Sequence, residues 1–223
     1  MNTQLIKTKA VFDLNLSAEL LMLSSDMPEY REFEELLLQA GEIAMPKAVI
    51  VKLPILQIND GEVKVPGATF TSTKLVELMS KGSELCVFVA TCGTELEQLL
   101  VEENDPLRIY WIEHLKEKAL QQVFELAKMY SKEKMNISKI TSMVPIDSAS
   151  WQLADLQVLF NLIPDNILQD IDVSLSEHFS MYPNKSRAGV FFYSTEVIDL
   201  CKNCSFKESC ELRFQEKSCS RMM

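Results

Sequence analysis

A short apolar run in the middle of the chain restricts the possible fold more than any other sequence feature. It reads LCVFVA from Leu85 to Ala90, between Glu84 and Thr91. The run is rich in β-branched residues and too short for an ordinary helix, so it predicts a strand buried in the interior. The composition agrees, because 47% hydrophobic and 24% charged residues over 223 positions are typical of a globular protein with a core of ordinary size.

Helical patterns lie on both sides of this run. Residues 25–44 predict a helix with Asp26 as N-cap and Gly41 at its end. Its apolar face holds Phe33, Leu36, Leu37 and Ala40. A short helix is predicted after Thr71 or Ser72, ending at Gly82.

A longer helical region follows the apolar run. Residues 94–135 are helical in pattern, with a break where Asp105 caps a new helix and Pro106 occupies its first turn. A last amphipathic helix is predicted over 154–162, and its apolar residues include Leu156, Leu159 and Phe160.

Extended patterns occur between these helices. Val49, Val51 and Leu53 alternate with other residues, and the tight-turn sequence Asn59-Asp60-Gly61 predicts a hairpin that continues through Val63 and Val65. Strands and helices do not alternate regularly, which favours one α+β domain over a doubly wound sheet. We expect this domain to span residues 1–200, with the weakest pattern over 1–46, and a short tail to span 201–223.

Charge and hydropathy exclude several classes of function. The net charge of −10 and the lack of clustered Lys and Arg argue against a nucleic-acid binder. No stretch approaches the roughly 18 apolar residues of a membrane span, and the first residues do not resemble a secretory leader. We therefore expect a cytoplasmic protein with no membrane partner, whose cysteines are kept reduced.

Four of the six cysteines lie near the C-terminal end of the sequence. They are Cys201, Cys204, Cys210 and Cys219. A Cys-x2-Cys pair places two sulfurs on the same side of a turn, and four thiolates can complete a tetrahedral zinc site or hold an iron-sulfur cluster. Two alternatives stay open at this point: a metal site that is purely structural, and a tail that binds no metal.

Other constellations give little support for an enzyme of a common class. The chain has two histidines, no serine nucleophile elbow and no glycine-rich phosphate loop. Cys86 and Cys92 flank the apolar run and are expected to behave as small hydrophobic residues. Carboxylates at helical spacing are expected to form solvated faces.

The segment VSLSEHFSMYPNKSRAGVFFY, residues 173–193, carries the most specific signal. Two apolar stretches flank a polar tract, which by itself predicts a β-hairpin that turns at Pro183 and Asn184. The segment also resembles the signature of the activation (reactivation) domain of cobalamin-dependent methionine synthase. The positions that match, in order and at the family's spacing, are Leu175, Ser176, Glu177, Met181, Pro183, Ser186 and Gly189.

Further pieces resemble the same family in the same order. They are VFVATCGTELEQLL, Asp105 with the helix after it, VPIDSASWQLADLQVLFNLI and the cysteine-rich tail, which is similar to that of stand-alone members. The resemblance implies an α+β fold with a mixed, largely antiparallel sheet and long helices. It also implies a domain that binds S-adenosylmethionine and docks over a cobalamin-binding domain, where reduced cobalamin is trapped by methyl transfer.

The resemblance assigns two groups of site residues. One group faces the cobalamin cofactor and comprises Glu177, Met181, Tyr182, Pro183, Ser186 and Gly189. The other, at the family's Arg-x-x-Pro-Gly-Tyr motif, would bind S-adenosylmethionine and comprises Ser142, Val144, Pro145 and Asp147. Ser142 stands at the arginine position and offers one hydroxyl in place of a charged fork, so binding is expected to be weakened, altered or lost. The family's helical glutamate falls near Leu120 or Gln121.

Two hypotheses of different classes follow. The first is an accessory protein that assists reductive reactivation or methylation of a corrinoid cofactor on a partner protein, with cobalamin supplied by that partner. The second is a non-enzymatic binding module that keeps the fold, has a degenerate ligand site and holds structural zinc. Neither hypothesis assigns a catalytic residue.

The cysteine tail predicts that the protein retains a metal when it is isolated without oxygen. Metal analysis and a visible spectrum would measure this, because an iron-sulfur cluster is brown and redox-active whereas zinc is colourless. Protein that contains neither iron nor zinc would contradict the prediction and support the unliganded tail.

Overall fold

Strands and helices follow one another irregularly in the computed structural model, which describes residues 2–79, 82–145 and 151–195. The first part contains β1 (Asn2–Lys7), α1 (Leu14–Leu20), α2 (Pro28–Ile43), β2 (Lys47–Pro54), β3 (Gln57–Asn59), β4 (Glu62–Val65), β5 (Ala68–Thr71) and α3 (Thr73–Met79). The second part contains β6 (Glu84–Thr91), a 3-10 helix (Glu95–Leu100), α4 (Pro106–Lys134), β7 (Thr141–Met143), α5 (Asp155–Asn161), α6 (Asp165–Asp170), β8 (Ser174–Leu175), β9 (Met181–Tyr182) and β10 (Ser186–Phe192).

The apolar run forms β6, the central strand of a five-stranded sheet. The order of the sheet is β1-β2-β6-β10-β7, and each neighbouring pair is antiparallel. Two smaller sheets, β3-β4-β5 and β8-β9, lie outside it. This architecture confirms the predicted α+β class and the largely antiparallel sheet.

Alternate residues of the central strands enter two different cores. On β6, Cys86 and Phe88 pack with α2 and α4, whereas Val87 and Val89 pack with α3 and α5. Because successive side chains of a strand point to opposite faces, the sheet is covered on both sides. This double burial explains why LCVFVA is continuously apolar rather than alternating.

Aromatic side chains fill the core between α4 and the sheet. Phe88 on β6 stacks on Phe191 of β10 with 4.1 Å between ring centroids, and Phe124 of α4 contacts both rings at 5.4 Å. Trp111, on the preceding part of α4, meets Phe33 of α2 edge-on at 5.5 Å. These contacts fix the position of α4 over β10, which carries the last part of the signature segment.

Most predicted elements are present, but the ends of α2 differ from the prediction. The helix begins at Pro28 after Met27, and Asp26 instead accepts a hydrogen bond from Ser24. Proline is well suited to a first helical turn, so it sets the start without a side-chain cap. Gly41 lies inside the helix, which continues to Ile43, because its backbone does not adopt the positive φ of a glycine that ends a helix.

The predicted caps of the other helices are present. Asp105 Oδ1 accepts a hydrogen bond from the Leu107 N–H at 2.9 Å, and Ser72 Oγ accepts one from the Leu75 N–H at 3.0 Å. Although α4 is 29 residues long, no helix in the described ranges is apolar enough over a sufficient length to span a bilayer. The boundary predicted at residue 200 falls outside the described residues.

Candidate functional site

The signature segment begins with a small two-stranded ribbon. Ser174 pairs with Tyr182 and Leu175 with Met181, so the turn lies at residues 176–180. Ser176 Oγ accepts a hydrogen bond from the Ser180 N–H at 3.0 Å, and the Ser176 N–H donates to the Ser180 carbonyl at 2.9 Å. The turn predicted at Pro183 and Asn184 is therefore wrong, because the Ser176 side chain closes the loop earlier.

The ribbon has an anchored side and an exposed side. Leu175, Phe179 and Met181 pack against the core that contains α5. Glu177 is exposed in the loop, and Tyr182 is 53% exposed. The ribbon thus presents these two predicted cofactor-facing residues to solvent from a fixed base.

A short link joins the ribbon to the main sheet. The Tyr182–Pro183 peptide bond is cis, and Pro183 is buried. Asn184 Nδ2 donates to Glu113 Oε2 of α4 at 3.0 Å, and the Lys185 carbonyl accepts from the Cys92 N–H at 3.0 Å. The link is therefore held by α4 on one side and by the end of β6 on the other.

Gly189 brings the two predicted motifs together. In β10, Val190 pairs with Met143 and Phe191 with Ser142, which places the SMVP segment along the edge of the sheet. A Cβ atom at Gly189 would lie 2.3 Å from the Met143 carbonyl oxygen and 2.9 Å from Val144 Cγ1. Only glycine permits this approach.

The remaining predicted residues divide into two groups. Pro145 is buried after β7, and Ser186 begins β10 with a buried Oγ that has no hydrogen-bond partner among the described residues. Asp147 and the four cysteines of the tail lie outside the described residues.

This arrangement of elements resembles that of a solved structure. A crystal structure of the MetH reactivation domain bound to AdoHcy matches with a TM-score of 0.61, covering 98% of this chain and 87% of that chain at 13% sequence identity. The chain has the fold of the methionine synthase reactivation domain. No protein-family model and no curated protein matches the sequence. At this identity the likeness concerns the fold, and it confirms the resemblance predicted from the signature segment at that level.

In this version of the reactivation-domain fold, two lysines are buried beside the signature segment. Lys47 of β2 contacts Glu95 at 3.0 Å and Asp172 at 2.6 Å. Lys116 of α4 contacts Glu97 at 2.8 Å and Glu113 at 2.7 Å, with its side chain only 1% exposed. Both lysines therefore bind the 3-10 helix after β6, one through Glu95 and the other through Glu97.

The buried lysines remain charged. Burial disfavours the charge of Lys47, but hydrogen bonds to Asp172 and Glu95 outweigh it and raise its pKa above the ordinary value. The pKa of Lys116 is raised in the same way, since hydrogen bonds to Glu113 and Glu97 outweigh its burial. Each lysine pairs closely with two carboxylates, so we assign these contacts a structural role.

A second set of charges is held more loosely. Lys185 lies 3.8 Å from Glu113 and 3.6 Å from Glu117, and Arg187 lies 4.0 Å from Glu117. The Arg187 guanidinium also lies over the Phe124 ring, 4.8 Å from its centroid. Arg187 was not among the predicted site residues, although a charge within the largely apolar strand β10 was a signal for it.

Potential metal ligands in the described part of the chain do not form a site. No group of three or more His, Cys, Asp or Glu side chains there could hold a metal ion. Burial raises the pKa of the Cys86 thiol to about 11 and that of the Cys92 thiol to about 12. Both thiols stay protonated at neutral pH and are poor nucleophiles.

We expect Gly189→Ala to destabilise the fold by about 1–3 kcal/mol, because the new methyl group would overlap the Met143 carbonyl oxygen. Urea unfolding at neutral pH would measure the change. Gly41→Ala is the matched control: its Cβ would have 3.9 Å of space to Phe12, and alanine in a helix interior should stabilise by about 0.5–1 kcal/mol. An unchanged midpoint for Gly189→Ala would contradict the close packing of the two motifs.

Because His114 on α4 is largely buried, we expect the protein to lose stability in mild acid. Burial, aided by the Lys118 charge, lowers the pKa of His114 from 6.5 to about 4, and its buried Nε2 lacks a hydrogen-bond partner among the described residues. The unfolded chain therefore takes up a proton first as the pH falls, so the stability present above pH 6.5 decreases between about 6.5 and 4. We expect the loss to be about 1–3 kcal/mol.

Urea unfolding at several pH values would test the role of His114. The variant His114→Gln should show a smaller loss than the wild type over that interval. His178→Gln, which changes the other, exposed histidine, should keep the full loss. Equal pH dependence in all three proteins would exclude His114 as its source.

Proposed function

We propose that this protein is an accessory factor that docks on a separate corrinoid protein and assists the reductive reactivation of its cobalamin. The observation that supports this best is the placement of the signature segment within a reactivation-domain fold. Tyr182 and Glu177 are exposed on a ribbon whose other face is packed into the core. An exposed aromatic side chain on a segment that is packed firmly against the core is suited to anchor a protein interface.

The proposed reaction combines a reduction with a trapping step. Reduction of an oxidised cobalamin by one electron from an external reductant is unfavourable, so the product must be removed. In methyl transfer from a sulfonium, the cobalt electron pair forms the new bond to carbon. The carbon–sulfur bond breaks, and its electrons remain on sulfur as a neutral thioether. This irreversible step makes the preceding reduction effective.

The chain's own residues would hold the docking surface in place. Glu113 accepts hydrogen bonds from Asn184 and Lys116, which connects the link after Tyr182 to α4. The Cys92 N–H fixes the same link to the end of β6. Because one contact comes from α4 and the other from the residue directly after β6, the ribbon needs little ordering when a partner binds.

We propose that S-adenosylmethionine, the methyl donor that the resemblance implies, is bound here by contacts other than the family's arginine. Ser142 lies on β7 opposite Phe191, where it supplies one hydroxyl group. A hydroxyl cannot form the bidentate charged contact with a carboxylate that a guanidinium forms. The proposed cellular location is the cytoplasm, where Cys86 and Cys92 would stay as free thiols.

The second candidate function is a binding module without catalysis. The serine at the arginine position favours this function, because a protein that no longer binds S-adenosylmethionine could still use the fold to bind a partner. In this case Cys201, Cys204, Cys210 and Cys219 would hold zinc for structural purposes. Such a protein would bind a corrinoid protein without accelerating formation of methylcobalamin.

Anaerobic affinity purification followed by a reconstituted assay would test the proposal. We expect the chain to retain a cobalamin-containing protein, identified by its visible spectrum and by mass spectrometry. With a one-electron reductant and S-adenosylmethionine, it should accelerate formation of methylcobalamin on that protein. Tyr182→Ala should weaken binding of the partner about tenfold or more.

The control is Leu38→Ala, which removes another exposed apolar side chain on α2 and should leave binding unchanged. Retention of no corrinoid protein would refute the docking role. Binding without acceleration would favour the non-catalytic module.

A further inference from the structure

Arg187 differs from Lys47 and Lys116 because it has no close ion-pair partner in the part of the chain that the structure describes. Lys47 and Lys116 each contact two carboxylates at 2.6–3.0 Å. Arg187 is mostly buried, with 19% of its side chain exposed, yet its one ion pair in the described structure is the 4.0 Å contact with Glu117. That distance is too long for a hydrogen bond. The guanidinium therefore keeps donors available for a ligand.

The position of Arg187 is fixed although none of the described residues accepts a hydrogen bond from its guanidinium. Its guanidinium lies over Phe124, and Phe124 itself packs against Phe88 and Phe191. Burial lowers the pKa of Arg187, while Glu117 and Glu125 act in the opposite direction. A guanidinium held on an aromatic ring loses little side-chain entropy when it binds an anion.

Arg187 lies on the same sheet face as the degenerate motif. Residues 187, 189 and 191 of β10 share one face, and Ser142 is directly opposite Phe191. Val144 packs against the core on this face. The family's arginine position and Arg187 thus lie on one side of the sheet, about four residues or 13 Å apart along β10.

An acidic side chain accompanies Arg187 on the adjacent helix. The family's helical glutamate falls near Leu120 or Gln121, which are not acidic, but Glu117 lies one turn before Gln121. Glu117 contacts both Arg187 and Lys185 without a hydrogen bond to either. A carboxylate and a guanidinium are therefore adjacent, loosely paired and partly open to solvent.

We propose that Arg187 and Glu117 bind the zwitterionic α-amino-acid group of a nucleoside ligand of the S-adenosylmethionine class. The guanidinium donates to the ligand carboxylate, and the Glu117 carboxylate accepts from the ligand ammonium. Insertion of this group replaces one long ion pair by two short charge-assisted hydrogen-bonded contacts. The choice of ligand class rests on the proposed function, whereas the recognition of a zwitterion rests on these two residues.

The surrounding charges are compatible with such a ligand. Lys185 lies near both Glu113 and Glu117. Glu125, further along α4, favours the charged form of Arg187 through its negative charge. The excess of carboxylates also suits the positive sulfonium. Glu113 already binds Lys116 and Asn184 closely, so Glu117 is the carboxylate with free acceptor capacity.

Calorimetry with two probes would isolate the amino-acid contact. S-adenosylhomocysteine carries the α-amino-acid group, and 5′-methylthioadenosine has the same nucleoside thioether without it. We expect the wild type to bind S-adenosylhomocysteine at least tenfold more tightly than 5′-methylthioadenosine. Arg187→Gln should abolish that difference while leaving the affinity for 5′-methylthioadenosine unchanged, as in a double-mutant cycle.

Three further variants complete the test. Glu117→Gln should reduce the difference between the probes, and Arg187→Lys should retain part of it, because an ammonium makes fewer of the contacts. Arg108→Gln is the matched control: Arg108 pairs with Glu103 at the start of α4 and should not affect the difference. Circular dichroism confirms folding of each variant, and if Arg187→Gln does not fold, Arg187→Lys and Glu117→Gln decide the outcome.

Several results would overturn the proposal. They are the absence of S-adenosylhomocysteine binding to the wild type, equal affinity for both probes, and a difference that survives in the variants of Arg187 and Glu117. These measurements use the isolated protein and small molecules. They are therefore independent of whether a corrinoid protein is retained through Tyr182.

Discussion

Burial of the central sheet on both faces is the constraint on which the other features depend. Residues of β2, β6 and β10 enter two cores alternately, so a shift of one residue in any of these strands would exchange the two cores. The register is therefore fixed by packing. It aligns Lys47, Thr91 and Ser186 in one row across three strands, at the end of the sheet where the apolar residues stop. The charged part of the candidate site, which contains Arg187, lies at this end, whereas Ser142 pairs with Phe191 further along β10.

The charges at this end of the sheet fall into two groups with different physical roles. Lys47 and Lys116 are desolvated and must be paired closely, since an isolated buried charge would be strongly unfavourable. Their carboxylate partners consequently hold the 3-10 helix and the link of the signature segment in place. Arg187 and Lys185 retain more solvent and longer contacts. The closely paired lysines keep the surrounding segments in place, while the loosely paired Arg187 and Lys185 could exchange partners. Such an arrangement is suited to binding a charged ligand without reorganising the fold.

The local patterns of the sequence predicted most of the helices and strands, and each incorrect prediction has a specific cause. The strand at Leu85–Ala90 and the cap at Asp105 depend on neighbouring residues alone, so the pattern was sufficient. The turn of the signature was misplaced because the Ser176 hydroxyl closes a loop earlier than Pro183 suggested. Gly41 was expected to end α2, but a glycine ends a helix only where the backbone changes direction.

The candidate site was predicted less completely than the fold. The resemblance identified Gly189 and the segment from Ser142 to Pro145, and the structure brings these together at the edge of the sheet. It did not identify Arg187, whose proposed role depends on its position over Phe124 and beside Glu117. Neither neighbour can be inferred from the strand that contains Arg187.

The sequence by itself determined which segments become strands and helices, which strands are buried on both faces, and where the family signature lies. These properties follow from hydrophobic periodicity and short motifs, which act over a few residues. Only the tertiary structure decided which charges pair. Asn184 and Glu113 are 71 positions apart, and Lys47 and Asp172 are 125 positions apart. Such pairs form because packing of the sheet and α4 brings distant segments together, and no local pattern encodes that distance.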